Sequence, residues 1–220
     1  MSASTAPFAD RTEAGRALAA ALAGHAAPEL VVLGLPRGGV VVAAEVARAL
    51  GGTLDVVVVR KLGVPWQPEL AMGAIAAVDE EIETVRDEHV LGRLQLGEDA
   101  FDRARARETA ELHRREAAYR QGRLPTRLAG RPVVVVDDGL ATGSTMRAAL
   151  AAVRRQGPAR LTVAVPVAAP VVCARIAAEV DDVVCLWAPP DLAAVGQAYD
   201  DFRATTDEEV REALAAAGPG

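Results

Sequence analysis

One run of thirteen residues limits the fold of this chain more than any other. Val133, Val134, Val135 and Val136 lead directly into Asp137, Asp138 and Gly139, followed by Leu140, Ala141, Thr142, Gly143, Ser144 and Thr145. Four β-branched residues in succession leave no polar face for water, so they read as a strand covered on both sides, as inside a parallel sheet. Asp137 and Asp138 then fall at its carboxyl end, where open α/β sheets place their ligands. Gly139 and Gly143 loosen the backbone, and Thr142, Ser144 and Thr145 lead into an amphipathic run over 146–156. Free N–H groups and the macrodipole at such a helix start favour an anion. Carboxylates that accept hydroxyl hydrogen bonds, next to an anion-binding turn, suit a phosphorylated sugar.

Spacing separates this turn from the phosphate loop of nucleotide triphosphatases, which needs four residues between its glycines and then Gly-Lys-Ser/Thr. Only Leu140, Ala141 and Thr142 separate Gly139 from Gly143, and Ser144 stands where the lysine is required. The acidic pair ahead of the loop would also repel a triphosphate. A kinase or nucleotide hydrolase is therefore disfavoured.

The 220 residues suffice for one domain with a sizeable core. With 24 basic and 30 acidic residues the net charge is -6, which argues against a nucleic-acid or membrane surface. No apolar run reaches transmembrane length, and residues 1–14 carry Asp10, Arg11 and Glu13 where a signal peptide would be apolar. Cys173 and Cys185 lack metal-ligand spacing and read as buried thiols, so the expected compartment is the cytoplasm. Lys61 is the sole lysine in an arginine-biased chain, which draws attention to its position.

Along the chain, 9–23 reads as an amphipathic helix, 30–33 as a buried strand, 40–50 as a helix and 53–59 as a second strand. This is a βαβ unit whose crossover should be right-handed. Residues 60–69, with Gly63, Pro65 and Pro68, read as a loop, and 71–77 and 81–85 as a hairpin around Asp79 and Glu80. The segment 99–121 reads as a solvated helix with i,i+4 ion pairs. Further strands are expected at 160–165 and 183–187, with helices at 168–180 and 206–217, the last capped by Thr205 or Thr206. The fold class is α/β, a doubly wound, mainly parallel sheet.

The run at 133–145 is similar to the phosphoribosyl-pyrophosphate (PRPP) signature of the type I phosphoribosyltransferases. The resemblance implies a single domain over 1–220, with a flexible loop, hairpin and charged helix in 60–125 and a small C-terminal lid or hood in 183–220. It implies that Asp137 and Asp138 hold the ribose hydroxyls while Ala141, Thr142, Gly143, Ser144 and Thr145 wrap the 5-phosphate. Arg37, Gly38 and Gly39, at the end of the first strand, resemble the family's pyrophosphate turn, which often carries a strained non-prolyl peptide. Arg60 and Lys61 correspond to basic residues that reach the pyrophosphate. Val195, Gly196 and Asp200 resemble a Val-Gly-x-x-x-Asp segment of hypoxanthine-guanine enzymes, which implies Asp200 as a metal-side residue and Trp187 or Tyr199 beside the base. One position departs from the family: 6-oxopurine enzymes carry an aspartate where this chain has Ala141.

The resemblance thus implies Mg2+-dependent pentosyl transfer from PRPP to a nitrogenous acceptor with release of pyrophosphate, in nucleotide metabolism or salvage, by a homodimer. The other expectation is a non-catalytic regulator that senses PRPP or nucleotides on the same fold, since fold does not fix function.

Overall fold

The computed structural model describes residues 7–78 and 81–217. Its centre is a sheet of β1 (Val31–Gly34), β2 (Thr53–Val56), β6 (Pro132–Val136), β7 (Arg160–Val167) and β8 (Asp182–Trp187). These five strands lie in the order β2-β1-β6-β7-β8, and every neighbouring pair is parallel. Alternate residues of each strand enter opposite apolar layers. Val32, Val134 and Ala164 pack with α1 (Arg11–Ala21) and α2 (Gly38–Leu50), whereas Val31, Val133 and Val163 pack with α5 (Ser144–Arg155) and α6 (Pro170–Ala177). Both faces being covered is why β6 needs apolar residues at every position; full burial stabilises each valine by roughly 1.5–3 kcal/mol.

Strand order also fixes where a ligand can enter. From β1 the chain moves outward to β2, then returns to the other side of β1 as β6. The reversal leaves a crevice beyond the carboxyl ends of β1 and β6. These ends are level, Gly34 pairing with Val136.

The expected strand over 53–59 changes partners midway. The Val57 N–H makes a bond to Gly34 O, and from Val58 the chain leaves β1 to build a second, antiparallel sheet. That sheet holds β3 (Val58–Val64), β4 (Gln67–Val78) and β5 (Glu81–Arg86). Residues 60–69 are therefore two strands and their turn, not a loop. The pairing shifts register on both sides of Gly63, and a Cβ there would lie 2.5 Å from Pro68 O. Gly63 thus admits Pro68 into the ladder at an irregular point, so the residues that signalled a loop instead mark a bulge. The 71–77 and 81–85 strands pair as expected, while their turn at Asp79 and Glu80 lies outside the described residues.

This small sheet lies between α4 (Glu98–Arg120) and α5. Leu62 and Ile75 pack with Phe101, Ala104 and Leu112 on one side, and Ala76 and Val78 with Met146 and Ala149 on the other. A short α3 (Glu88–Leu94), capped by the Asp87 side chain, precedes α4 and was not anticipated. Helix α4 carries the expected i,i+4 pairs, Glu111 with Arg115 and Glu116 with Arg120, but also buries Phe101, Leu112 and Tyr119. At its end Arg120 is buried against Asp55, with Nη1 at 2.6 and 2.9 Å from the two carboxylate oxygens.

Of the C-terminal stretch 183–220, residues 183–187 belong to β8 at the edge of the main sheet. Helix α7 (Asp207–Ala216) packs on α2 and α4 and is capped by Thr206. The segment 188–206 runs past the carboxyl edge of the sheet, where Tyr199 meets Asp138. It is zipped to the N-terminal segment, Phe8 bridging Tyr199 in parallel and the Asp200 and Asp201 amides donating to Phe8 O and Ala9 O. Cys173 and Cys185 are free and half-buried. Among the described residues no helix is long and apolar enough to cross a membrane.

Candidate functional site

Two strand ends supply the site. From β1 the chain enters Pro36, Arg37, Gly38 and Gly39 through a cis Pro36–Arg37 peptide and begins α2 with no side-chain cap. From β6 it enters Asp137 and Asp138. The two turns are in close contact. A Cβ on Gly39 would lie 2.8 Å from Asp137 Cα, and one on Gly38 only 1.9 Å from Asp138 Oδ2. Both glycines are thus required by the close approach of the acidic pair.

Asp137 Oδ1 accepts a 2.9 Å bond from the Asp138 amide. Desolvation first, and then the adjacent Asp138 charge, push the Asp137 carboxyl well above the usual carboxylate range. Asp138 is held by two further segments. Arg11 Nε, in the first turn of α1, donates to its Oδ2 at 2.7 Å, and the Tyr199 hydroxyl donates to its backbone carbonyl. Burial, followed by the Asp138 charge, raises the Tyr199 phenol far above its ordinary value, so it stays a neutral donor. Tyr199→Phe should leave that carbonyl without its donor and cost about 1–2 kcal/mol, read from urea unfolding.

Beyond the acids, the Leu140 amide is tied to Val167 O, and Gly139 fits against Val167 and Val195 so closely that a Cβ would meet them at 2.7 and 2.5 Å. Ala141, Thr142 and Ser144 are exposed. Gly143 takes a left-handed φ of 74° and starts α5 without a side-chain cap. Thr142 Oγ1 and Ser144 Oγ lie 3.2 Å apart. The turn therefore presents hydroxyls and the start of a twelve-residue helix beside the carboxylates, the first helical amide donating to Thr142 Oγ1 at 3.5 Å.

The structure brings Arg37, Gly38, Gly39, Asp137, Asp138 and the 141–145 turn to one edge. Arg60 and Lys61 lie on the second sheet and make no bond to the acidic pair among the described residues. Arg60 donates from Nε and Nη2 to Glu108 Oε2 of α4 at 2.9 and 2.6 Å. Desolvation raises the Glu108 carboxyl, but bonds from Arg60 and Arg107 outweigh it and hold the group below its ordinary value. Lys61, next along the pleat, is exposed on the opposite face of β3. Trp187 ends β8, half-buried beside the cluster of Phe8, Ala198 and Tyr199. Asp200 is exposed, its amide fixed to Phe8 O. Arg11 and Phe8 were not anticipated; in the sequence they are ordinary members of a helix and of the irregular segment before it.

A doubly wound sheet with an acidic pair and a hydroxyl-bearing helix start at its switch point defines an open α/β protein whose candidate site lies at the carboxyl edge of the sheet. Residues 10–190 match the phosphoribosyl transferase domain, and the chain belongs to that family. It is 47% identical over 203 residues to "Putative phosphoribosyl transferase Rv0571c" of Mycobacterium tuberculosis H37Rv, and equally to its CDC 1551 counterpart, MT0597. That match covers 92% of this chain but 45% of the relative, so the chain spans about half the length of the curated proteins it matches. The crystal structure of TT1426 from Thermus thermophilus is 48% identical, covers 95% of this chain and 98% of that one, and superposes with a TM-score of 0.83.

Proposed function

We propose that the protein transfers the 5-phosphoribosyl group of PRPP to a nitrogenous acceptor. The acceptor nitrogen forms a bond to C1 as the C1–O bond breaks, inverting C1, and the electron pair leaves on pyrophosphate. The observation that carries this reading is the contact of Gly38 and Gly39 with Asp138 and Asp137. It supports reading the acidic pair as the ribose side and the adjoining glycine turn as the diphosphate side of one ligand.

In this reading Asp137 and Asp138 hold the ribose hydroxyls and favour the positive charge that develops near C1. The 141–145 turn binds the 5-phosphate through amides and hydroxyls. Arg37, exposed at the start of α2, neutralises the departing pyrophosphate together with the α2 amides. The pyrophosphate roles of Lys61 and Arg60 rest on the resemblance alone, and Arg60 would first have to leave Glu108. The aspartates are hard oxygen donors and suit Mg2+. Among the described residues no group of three or more His, Cys, Asp or Glu could hold a metal, so most ligands would come from substrate and water, with Asp200 as the nearby protein candidate. When bound, Mg2+ would supply Lewis-acid neutralisation of the diphosphate. Ala141 removes the acid on which 6-oxopurine enzymes rely. Tyr199 is buried and bonded to Asp138, so the base-side surface falls to Trp187 and Phe202.

The test is incubation with PRPP, Mg2+ and a panel of purines, pyrimidines and small nitrogenous acceptors, with mass spectrometry for a ribosylated product. Tight PRPP binding without turnover on any acceptor would favour the sensor instead. Asp138→Asn should lower PRPP affinity by on the order of tenfold or more, as expected for losing a charge-assisted bond of ~1.5–3 kcal/mol. Unchanged affinity in calorimetry would remove the ribose assignment.

A further inference from the structure

Arg11 lies in the crevice itself. Its Nε donates to Asp138 Oδ2 at 2.7 Å, its Nη1 donates to Arg203 O at 2.9 Å, and its guanidinium carbon stands 4.0 Å from the Phe202 ring centroid. The Arg11 and Asp138 side chains are only 11% and 16% exposed. The Cβ that Gly38 lacks would come within 2.6 Å of Arg11 Nε, so the guanidinium is lodged against the diphosphate turn as well as the carboxylate.

A planar cation thus takes one oxygen of the acidic pair and covers one aromatic ring of the tail. Phe202 is also stacked on Tyr199, with centroids 5.1 Å apart, and the same guanidinium carbon lies 5.8 Å from the Tyr199 ring centroid. A sugar hydroxyl and a flat acceptor would need these same two surfaces. Two adjacent carboxylates repel each other, and Arg11 offsets that charge from within the chain.

We propose that Arg11 is a tethered plug that occupies Asp138 and Phe202 in the ligand-free protein and leaves them when PRPP binds. This rests on the ribose assignment made above. Displacing the plug lowers the observed affinity for PRPP, because part of the sugar's binding free energy is used to break the Arg11 contact.

Two measurements test it. In calorimetry, Arg11→Gln should bind PRPP about tenfold more tightly than the wild type, the effect of removing a competitor worth ~1.4 kcal/mol. Independently of any variant, the Arg11 Nε–H proton of the wild type should be protected from exchange in the ligand-free protein and lose that protection at saturating PRPP. An Arg11→Gln affinity equal to or weaker than wild type, or an Arg11 Nε–H that stays protected in the complex, overturns the plug while leaving the ribose site intact. If neither protein binds PRPP, the functional reading fails and the plug with it.

Discussion

Asp55→Ala should destabilise the protein by about 3 kcal/mol, measured as a lower urea midpoint with an unchanged slope. Asp55 lies in β2 with its carboxylate buried. It accepts from Arg120 Nη1, from the Val56 amide at 2.7 Å and from the Thr126 amide at 2.7 Å. Arg120 also donates to Val56 O at 3.2 Å and to Glu116 at 3.1 Å. Breaking a buried ion pair by removing one partner typically costs about 3–5 kcal/mol, because the other charge stays desolvated. The low end applies because Glu116 still accompanies Arg120. Replacing both charges, as Asp55→Leu with Arg120→Met, should recover most of the loss, since a packed apolar pair avoids the desolvation cost. The network joins the end of β2, the end of α4 and the return toward β6. Its loss should therefore loosen the small sheet that carries Arg60 and Lys61 before it disturbs Asp137 and Asp138.

The sequence revealed features that depend on local order and hid those that depend on distant partners. The four valines of 133–136 announce a strand buried on both faces because burial leaves no polar position, and the acids and glycines after them mark the ligand edge without knowledge of the rest. The turn at Arg37, Gly38 and Gly39 is less distinctive by itself and takes its reading from the resemblance to the family's pyrophosphate turn. By contrast, Arg11 reaches Asp138 across 127 positions, and nothing in the first turn of an amphipathic helix distinguishes such an arginine from a solvated one. The same holds for α4, whose charges read as a solvated face. Glu111 and Arg115 do pair along it, but Glu108 turns inward to Arg60 and Arg120 to Asp55. Residues 60–69 misled for a different reason. Glycine and proline usually punctuate loops, yet here Gly63 lacks a Cβ so that Pro68 can sit across a bulged hairpin. Residues 198–201 are zipped to Phe8 and Ala9, and periodicity carries no information about a parallel bridge such as Phe8 to Tyr199.

The largest loss of ligand binding is expected from Gly38→Ala, which alters no charged or hydrogen-bonding side chain. The added methyl would stand 1.9 Å from Asp138 Oδ2 and 2.6 Å from Arg11 Nε, well inside van der Waals contact. The Asp138 backbone cannot yield readily, since its amide is held by Asp137 and its carbonyl by Tyr199. The carboxylate must therefore rotate out of the crevice. That rotation combines an overpacking cost of about 1–3 kcal/mol with loss of the aligned acceptor. PRPP affinity should fall by on the order of a hundredfold, roughly 3 kcal/mol, exceeding the effect of Asp138→Asn, which keeps the side chain in place. Stability should change less than binding, because the displaced carboxylate moves toward solvent and the core layers on either side of β6 are untouched. Calorimetric titration with PRPP, paired with urea unfolding of the same variant, checks both parts. A Gly38→Ala protein that bound PRPP as the wild type does would show that the 36–39 turn and the acidic pair do not act on one ligand.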